Sequence, residues 1–149
     1  MRATRIHWFC RSLVVSSLGV AVGLGAVARA KDPSIATDSG VSLSATESSV
    51  IARTNEARAQ RGLGPLSADA ALMNASRRQA SWMARNRNLS HGQGVTENIA
   101  MGQSSAAATV ADWMRSDGHR ANILGSHSRI GVAMARAADG TVYWCQQFR

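Results

Sequence analysis

The sequence is poor in the residues that staple a small exported fold. It has two cysteines, Cys10 and Cys145. Cys10 lies in a basic, apolar opening segment, so Cys145 stands alone in the remainder. That excludes an intramolecular disulfide, and a domain of about 100 residues can hold on its core alone. Aromatics are scarce, 5% of the chain, and read as core-like, which argues against stacking on nucleic-acid bases. No acidic residue occurs before Asp32. Residues 12–28 carry no charge, but 17 residues make a helix of only about 25 Å. A bilayer core needs about 30 Å, so a permanent span is marginal. No cysteine stands at the cleavage point, which argues against a lipoprotein anchor. No internal repeat is visible.

What is present in the first 30 residues has a recognisable order. Met1, Arg2, Arg5 and Arg11 give a positive start, the uncharged run 12–28 comes next, and Ala28-Arg29-Ala30 supplies small residues at the cleavage positions. This pattern predicts a signal peptide over 1–30, with a mature chain from Lys31 that is secreted or periplasmic. Gly19 and Gly23 are read as signal-peptide glycines rather than a helix-dimer motif. The whole chain has 17 basic and 9 acidic residues. Without Arg2, Arg5, Arg11 and Arg29, 13 basic residues stand against 9 acidic, a net +4. That charge suits solubility and mild attraction to anionic surfaces.

Residues 31–46 are polar and lack any period, which predicts a linker ahead of one domain over 47–149. Ser44-x-x-Glu47 has capping-box spacing. It predicts a helix to about Arg61, burying Val50, Ile51, Thr54 and Ala57 and stopped at Gly62 in a left-handed cap. Ser67 is read as the cap of a second helix, with Asp69 in its first turn and Leu72, Ala75, Gln79, Trp82 and Met83 on its inner face. Arg77, Arg78, Arg85 and Arg87 then form a solvated outer face. Residues 89–104 read as a loop with a short strand near 98–101. Ser104 or Ser105 caps a third helix carrying Ala106, Val110, Trp113 and Met114, and a turn or short helix spans 119–124. Ile130, Val132 and Met134 alternate with Gly131, Ala133 and Ala135, a strand with one bulky and one small face. Asp139-Gly140 is a hairpin turn. The return strand places Val142, Trp144, Gln146 and Phe148 on one face. Helices with a terminal hairpin make an α+β layered domain.

The polar residues outside these stripes cluster at Ser90-His91, Glu97-Asn98 and Ser116-Asp117-Gly118-His119. Two imidazoles and a carboxylate can hold a divalent metal, since zinc accepts both donor types. The same trio can do acid–base work. His91 and His119 are 28 residues apart, so spacing alone does not join them. Taken singly, His91 is a turn histidine, Glu97 a cap or an arginine partner, and His119 a helix start. Ser90 and Ser116 adjoin histidines in the chain but neither is a convincing activated nucleophile. His7 and His127 have no supporting pattern. Cys145 reads as a small core-facing residue, and Trp82, Trp113 and Trp144 as packing.

The ordered motifs change these odds. Asn55-x-x-Arg58, Gly62-Leu63-x-Pro65-Leu66, Ser90-His91, Glu97-Asn98-Ile99-Ala100, Trp113-Met114-x-Ser116-x-Gly118-His119-Arg120-x-Asn122-Ile123-Leu124, Ile130-Gly131-Val132 and Tyr143-Trp144-x-Gln146-x-Phe148 occur in sequence. Over residues 50–148 the chain resembles a bacterial CAP domain, also called SCP-like or pathogenesis-related-1 type. The resemblance implies an α-β-α sandwich, an antiparallel sheet flanked by helices. It also implies that His91, Glu97 and His119 share one cleft as metal ligands, with zinc or another divalent ion as cofactor. A second glutamate of many animal and plant members is Ser116 here, which removes a charge and a ligand. The implied function is a secreted, monomeric binding module for a lipid, glycan or peptide, and not for nucleic acid. The alternative is a metal-assisted hydrolase with Glu97 as its catalytic base. The sequence leaves open whether the protein is an enzyme.

Overall fold

The computed structural model describes Thr37 and residues 40–149. The expected signal peptide and most of the expected linker lie outside the described residues. Helix α1, Ala45–Ala59, starts at the capping box read from the sequence: Glu47 N–H donates to Ser44 Oγ at 3.2 Å, and Ser44 N–H to Glu47 Oε2 at 2.8 Å. Gly62 comes just after the helix with φ +71°, the left-handed conformation a glycine tolerates without strain. Val41 and Leu43, inside the expected linker, already pack against the core.

Two side chains of α1 hold the connections around it. Asn55 clamps the backbone of Leu66 from both sides, accepting its N–H at 2.8 Å and donating to its carbonyl at 3.0 Å. Arg58 is buried, and its guanidinium donates to the carbonyls of Gly64, Ile123, Gly125 and His127. The charge is desolvated, but every donor direction it turns inward meets an oxygen. The Asn55-x-x-Arg58 motif is therefore a clamp on the chain.

Ser67–Ala68 forms strand β1 rather than a helix cap. Ser67 pairs in parallel with Arg129 and Ala68 with Ile130. The cap of helix α2, Ala70–Asn86, is Asp69, whose carboxylate accepts from Leu72 N–H at 2.9 Å. Strand β2 is Thr96–Met101. Helix α3, Ala106–Arg115, is capped by Ser105, and helix α4, Asp117–Leu124, comes directly after it. Strands β3, Arg129–Arg136, and β4, Val142–Phe148, close the chain as the expected hairpin. Gly140 lies at φ +88°, and Asp139 Oδ1 accepts from Thr141 N–H.

The sheet order is β1-β3-β4-β2. It is antiparallel except for the two-residue β1. Two cores lie on its two faces. One gathers Val50, Ile51, Trp113, Ile123, Ile130, Val132, Trp144 and Phe148, from the sheet and helices α1, α3 and α4. The other gathers Ala80, Met83, Ala84, Ile99, Ala133, Tyr143 and Cys145, from the sheet and α2. The fold is the α-β-α sandwich expected from the motifs.

The α2 face corrects one expectation. The buried residues of α2 are Met73, Ser76, Ala80, Met83 and Ala84. The stripe is turned one position from the one predicted, and Trp82 is 40% exposed. Gly131 explains the turn. A Cβ there would lie 2.1 Å from the Leu72 carbonyl carbon and 2.3 Å from its oxygen. The helix rides directly on the small face of β3, so it presents its small residues and leaves its indole outside. Among the described residues, no helix is long and apolar enough to cross a membrane.

Candidate functional site

Strand β2 lies at one edge of the sheet, and the three residues singled out in the sequence gather around it. Glu97 is on β2 with its side chain on the α2 side, 4% exposed. Four donors meet its carboxylate. His91 Nδ1 lies 3.1 Å and Gly92 N–H 3.0 Å from Oε1. Gln147 Nε2 lies 2.8 Å and the Cys145 thiol 3.3 Å from Oε2. A carboxylate has about four lone-pair positions, and all are used. Hydrogen bonds compensate the burial of this charge, and among the described residues no lysine or arginine pairs with it.

This arrangement fixes His91. Its Nδ1–H donates to Glu97, so in the neutral ring Nε2 is the lone-pair nitrogen. The side chain is 58% exposed, so that nitrogen is within reach of solvent. The loop carrying it is held from α2, where Gln79 Nε2 donates to the Ser90 carbonyl at 2.6 Å.

His119 enters from the other side, on the first turn of α4. Burial, and then the charge of His91, hold its imidazole below the ordinary histidine value. Its backbone is tied to β2 through Asn98, whose Nδ2 donates to the His119 carbonyl at 3.0 Å. Asn98 belongs to a longer polar network through the α1-side core. Asn122 Nδ2 donates to Asn98 Oδ1, Asn98 Nδ2 to Gln146 Oε1, Gln146 Nε2 to Thr54 Oγ1, and Thr54 Oγ1 to the Val50 carbonyl. Asn98, Gln146 and Thr54 are completely buried, so this network stands in for solvent around them.

The structure thus brings His91 and Glu97 into contact and sets His119 near enough to feel His91. Among the described residues, no group of three or more His, Cys, Asp or Glu side chains is placed to hold a metal ion. Glu97 stands behind His91, and its oxygens are already taken. A three-ligand zinc centre does not fit this donor set. His91 keeps an exposed side chain, and His119 is favoured in the neutral form that metals need. Ser116 makes no side-chain capping bond to α4. His127 stacks on Phe148 at 5.3 Å and lies outside this group.

Five residues were not read as partners in the sequence: Gly92, Cys145, Gln147, Thr54 and Gln146. One signal was available. Every residue of β4 is buried, and Gln146-Gln147 are adjacent in it, so each face of the sheet had to supply a polar partner.

The comparisons agree with this fold. Residues 51–148 match the CAP, cysteine-rich secretory protein, family. An uncharacterised protein of Bacillus subtilis, YkwD, is 32% identical over 142 residues, covering 83% of this chain. This chain spans about half of that relative, 54% of its length. Among solved structures, an outer surface protein of Borrelia burgdorferi superposes with a TM-score of 0.61 at 18% identity, over 66% of this chain and 87% of that one. An extracellular SCP-domain protein of Bacillus anthracis gives 0.59 at 23%, over 70% of this chain and 40% of that one. At such identities the likeness is one of fold. With the motifs in place on that fold and the family matched over the described domain, this chain belongs to the CAP family.

Proposed function

We propose that this protein is an exported CAP-domain binding module whose cleft is built on the imidazoles of His91 and His119. One observation carries the reading: the four hydrogen bonds that fill the Glu97 carboxylate. They make Glu97 a positioning residue. It selects the His91 tautomer and keeps Nε2 as an acceptor. Two imidazole lone pairs suit a divalent ion of the zinc type, with solvent or a ligand atom completing its shell. When bound, such an ion would polarise a ligand oxygen or anion.

The same observation weighs against hydrolysis by Glu97. A general base needs a lone pair directed at the water it deprotonates, and each of these faces a protein donor. Ser90 and Ser116 gain no base from the fold. Binding is therefore the function that this chemistry supports.

Export rests on the charge and hydropathy order of residues 1–30. Mass spectrometry of the exported form should give an N-terminus at Lys31. For the cleft, titration calorimetry with Zn²⁺ alone compares the wild type with the His91→Ala, His119→Ala double variant. Saturable uptake by the wild type and none by the variant is the expected result. Equal heats would overturn the imidazole site.

A further inference from the structure

A groove of about 620 Å³ runs along the outer side of α2, between that helix and loop 89–95. It borders the Glu97 network, since Gly92 and Gln147 lie in its lining, but the proposal built on it does not depend on metal binding. Three neighbouring features mark it. Trp82, 40% exposed, and Val95, 46% exposed, give it an apolar wall. Arg78 and Arg85 line it, both exposed and neither in an ion pair among the described residues. Gln147 lies in its wall as a residue only 4% exposed, and its Oε1 has no hydrogen-bond donor. Its other end, Nε2, is fixed on Glu97, so the amide is not free to turn.

The exposed features ask for something of an occupant. The indole face favours a flat ring with C–H groups. The Gln147 carbonyl has no accessible surface, so it belongs to the wall and not to the contact with an occupant. The two guanidinium groups need anions. Positions 78, 82 and 85 share one helix face, and seven residues at 1.5 Å each set the backbone positions of the two arginines about 10 Å apart with Trp82 between them. A single small anion reaches one arginine. A chain of charged rings reaches both while one ring stacks on Trp82.

We propose that this groove binds an acidic glycan: a pyranose ring on Trp82, and carboxylate or phosphate groups on Arg78 and Arg85. An extended acidic peptide supplies the charges but must order a flexible backbone to do so. A stiff sugar chain has less to lose. The anion can be a uronate or a phosphodiester, since a guanidinium fork accepts both.

The test uses the full chain and oligogalacturonate as the probe, by calorimetry and by tryptophan fluorescence. Trp113 and Trp144 are buried, so a fluorescence change that Trp82→Phe abolishes reports the groove. Arg78→Gln with Arg85→Gln is expected to weaken binding at least tenfold, and Trp82→Ala at least fivefold, both with unchanged thermal melts. The paired change Arg53→Gln with Arg61→Gln removes the same charge from elsewhere and should leave affinity within twofold. Zn²⁺ uptake should survive the groove variants, which separates this site from the cleft. A glycosyl-phosphate oligomer, whose pyranose rings are joined by phosphodiesters, in place of the uronate distinguishes the two anion sources; binding of either supports the proposal. Three results would overturn it: no binding of either oligomer, equal weakening in the Arg53/Arg61 control, or polyglutamate binding as tightly as the glycan.

Discussion

Glu97 is the residue whose removal separates two opposing effects. Burying a carboxylate costs several kcal/mol after relaxation, so replacing it by leucine relieves a penalty. Yet Glu97→Leu removes only the acceptor. Gly92 N–H and Gln147 Nε2 stay where they are, and each unsatisfied buried donor costs about 1–3 kcal/mol. The Cys145 thiol is a weak donor and His91 is exposed enough to bond water, so those two add little. Breaking a buried network is the destabilising case, whereas replacing both partners is the near-neutral one. We therefore expect Glu97→Leu to cost about 3 kcal/mol. The double variant Glu97→Leu, Gln147→Leu should be more stable than Glu97→Leu alone by about 1 kcal/mol or more, because it also removes the stranded amide and its orphaned carbonyl. Urea denaturation followed by tryptophan fluorescence measures both. With m of about 1.5 kcal/mol/M, Glu97→Leu lowers the midpoint by about 2 M. If Glu97→Leu is as stable as the wild type, or the second leucine makes matters worse, the carboxylate is not held by these donors and its positioning role falls.

Gly131→Ala should cost about 3 kcal/mol or more, because its Cβ would meet the Leu72 backbone rather than a yielding side chain; a melt within a few degrees of the wild type would refute the close helix–sheet contact. Cys145 is buried, and burial with the neighbouring Glu97 charge pushes its thiol well up. Thiol reagents should label it only on unfolding, and fast labelling of the native chain would contradict its placement. Burial and adjacent charge (His91 at His119, Arg58 at His127) hold both imidazoles below the ordinary histidine value. The unfolded chain then binds more protons just below pH 6.5, so this stabilisation is complete above that pH and is lost as pH falls toward the folded values. Melts from pH 7.5 to 5 should show the decline, and a His119→Asn, His127→Asn variant should flatten it.

Much of the fold was legible because local chemistry decided it. The Ser44–Glu47 box, the left-handed Gly62, the Asp139-Gly140 turn and the alternating face of β3 needed no tertiary information. The inner face of α2 did. Its bulky residues gave a periodic stripe through Leu72, Trp82 and Met83, but the partner surface was Gly131, Ala133 and Ala135. A helix packed on a small face buries small residues, so Ser76, Ala80 and Ala84 go inside and Trp82 stays out. The small face of β3 was visible in the sequence; its consequence for the helix opposite was the missing step. Ser67 was misread for a related reason. A strand pairing with Arg129, 62 positions away, overrode a local capping preference.

The candidate site shows a different limit. Five polar motif residues, Asn55, Arg58, Asn98, Asn122 and Gln146, make hydrogen bonds that tie helices α1 and α4 to the sheet and its connections. Their chemistry is spent inside the protein. Glu97 is likewise spent, on His91 and three other donors. Of the motif residues with ligand-forming side chains, His91 keeps more than half its surface and His119 is half-buried. A polar residue in a signature is thus informative about function only after its internal partners are counted. On that count the proposed cleft rests on two imidazoles. The outer face of α2, which no motif marked, retains an indole and two guanidinium groups outside the ion pairs of the described residues. Free hydrogen-bonding and stacking capacity, rather than membership in a motif, is what a ligand can use, and the α2 groove concentrates it.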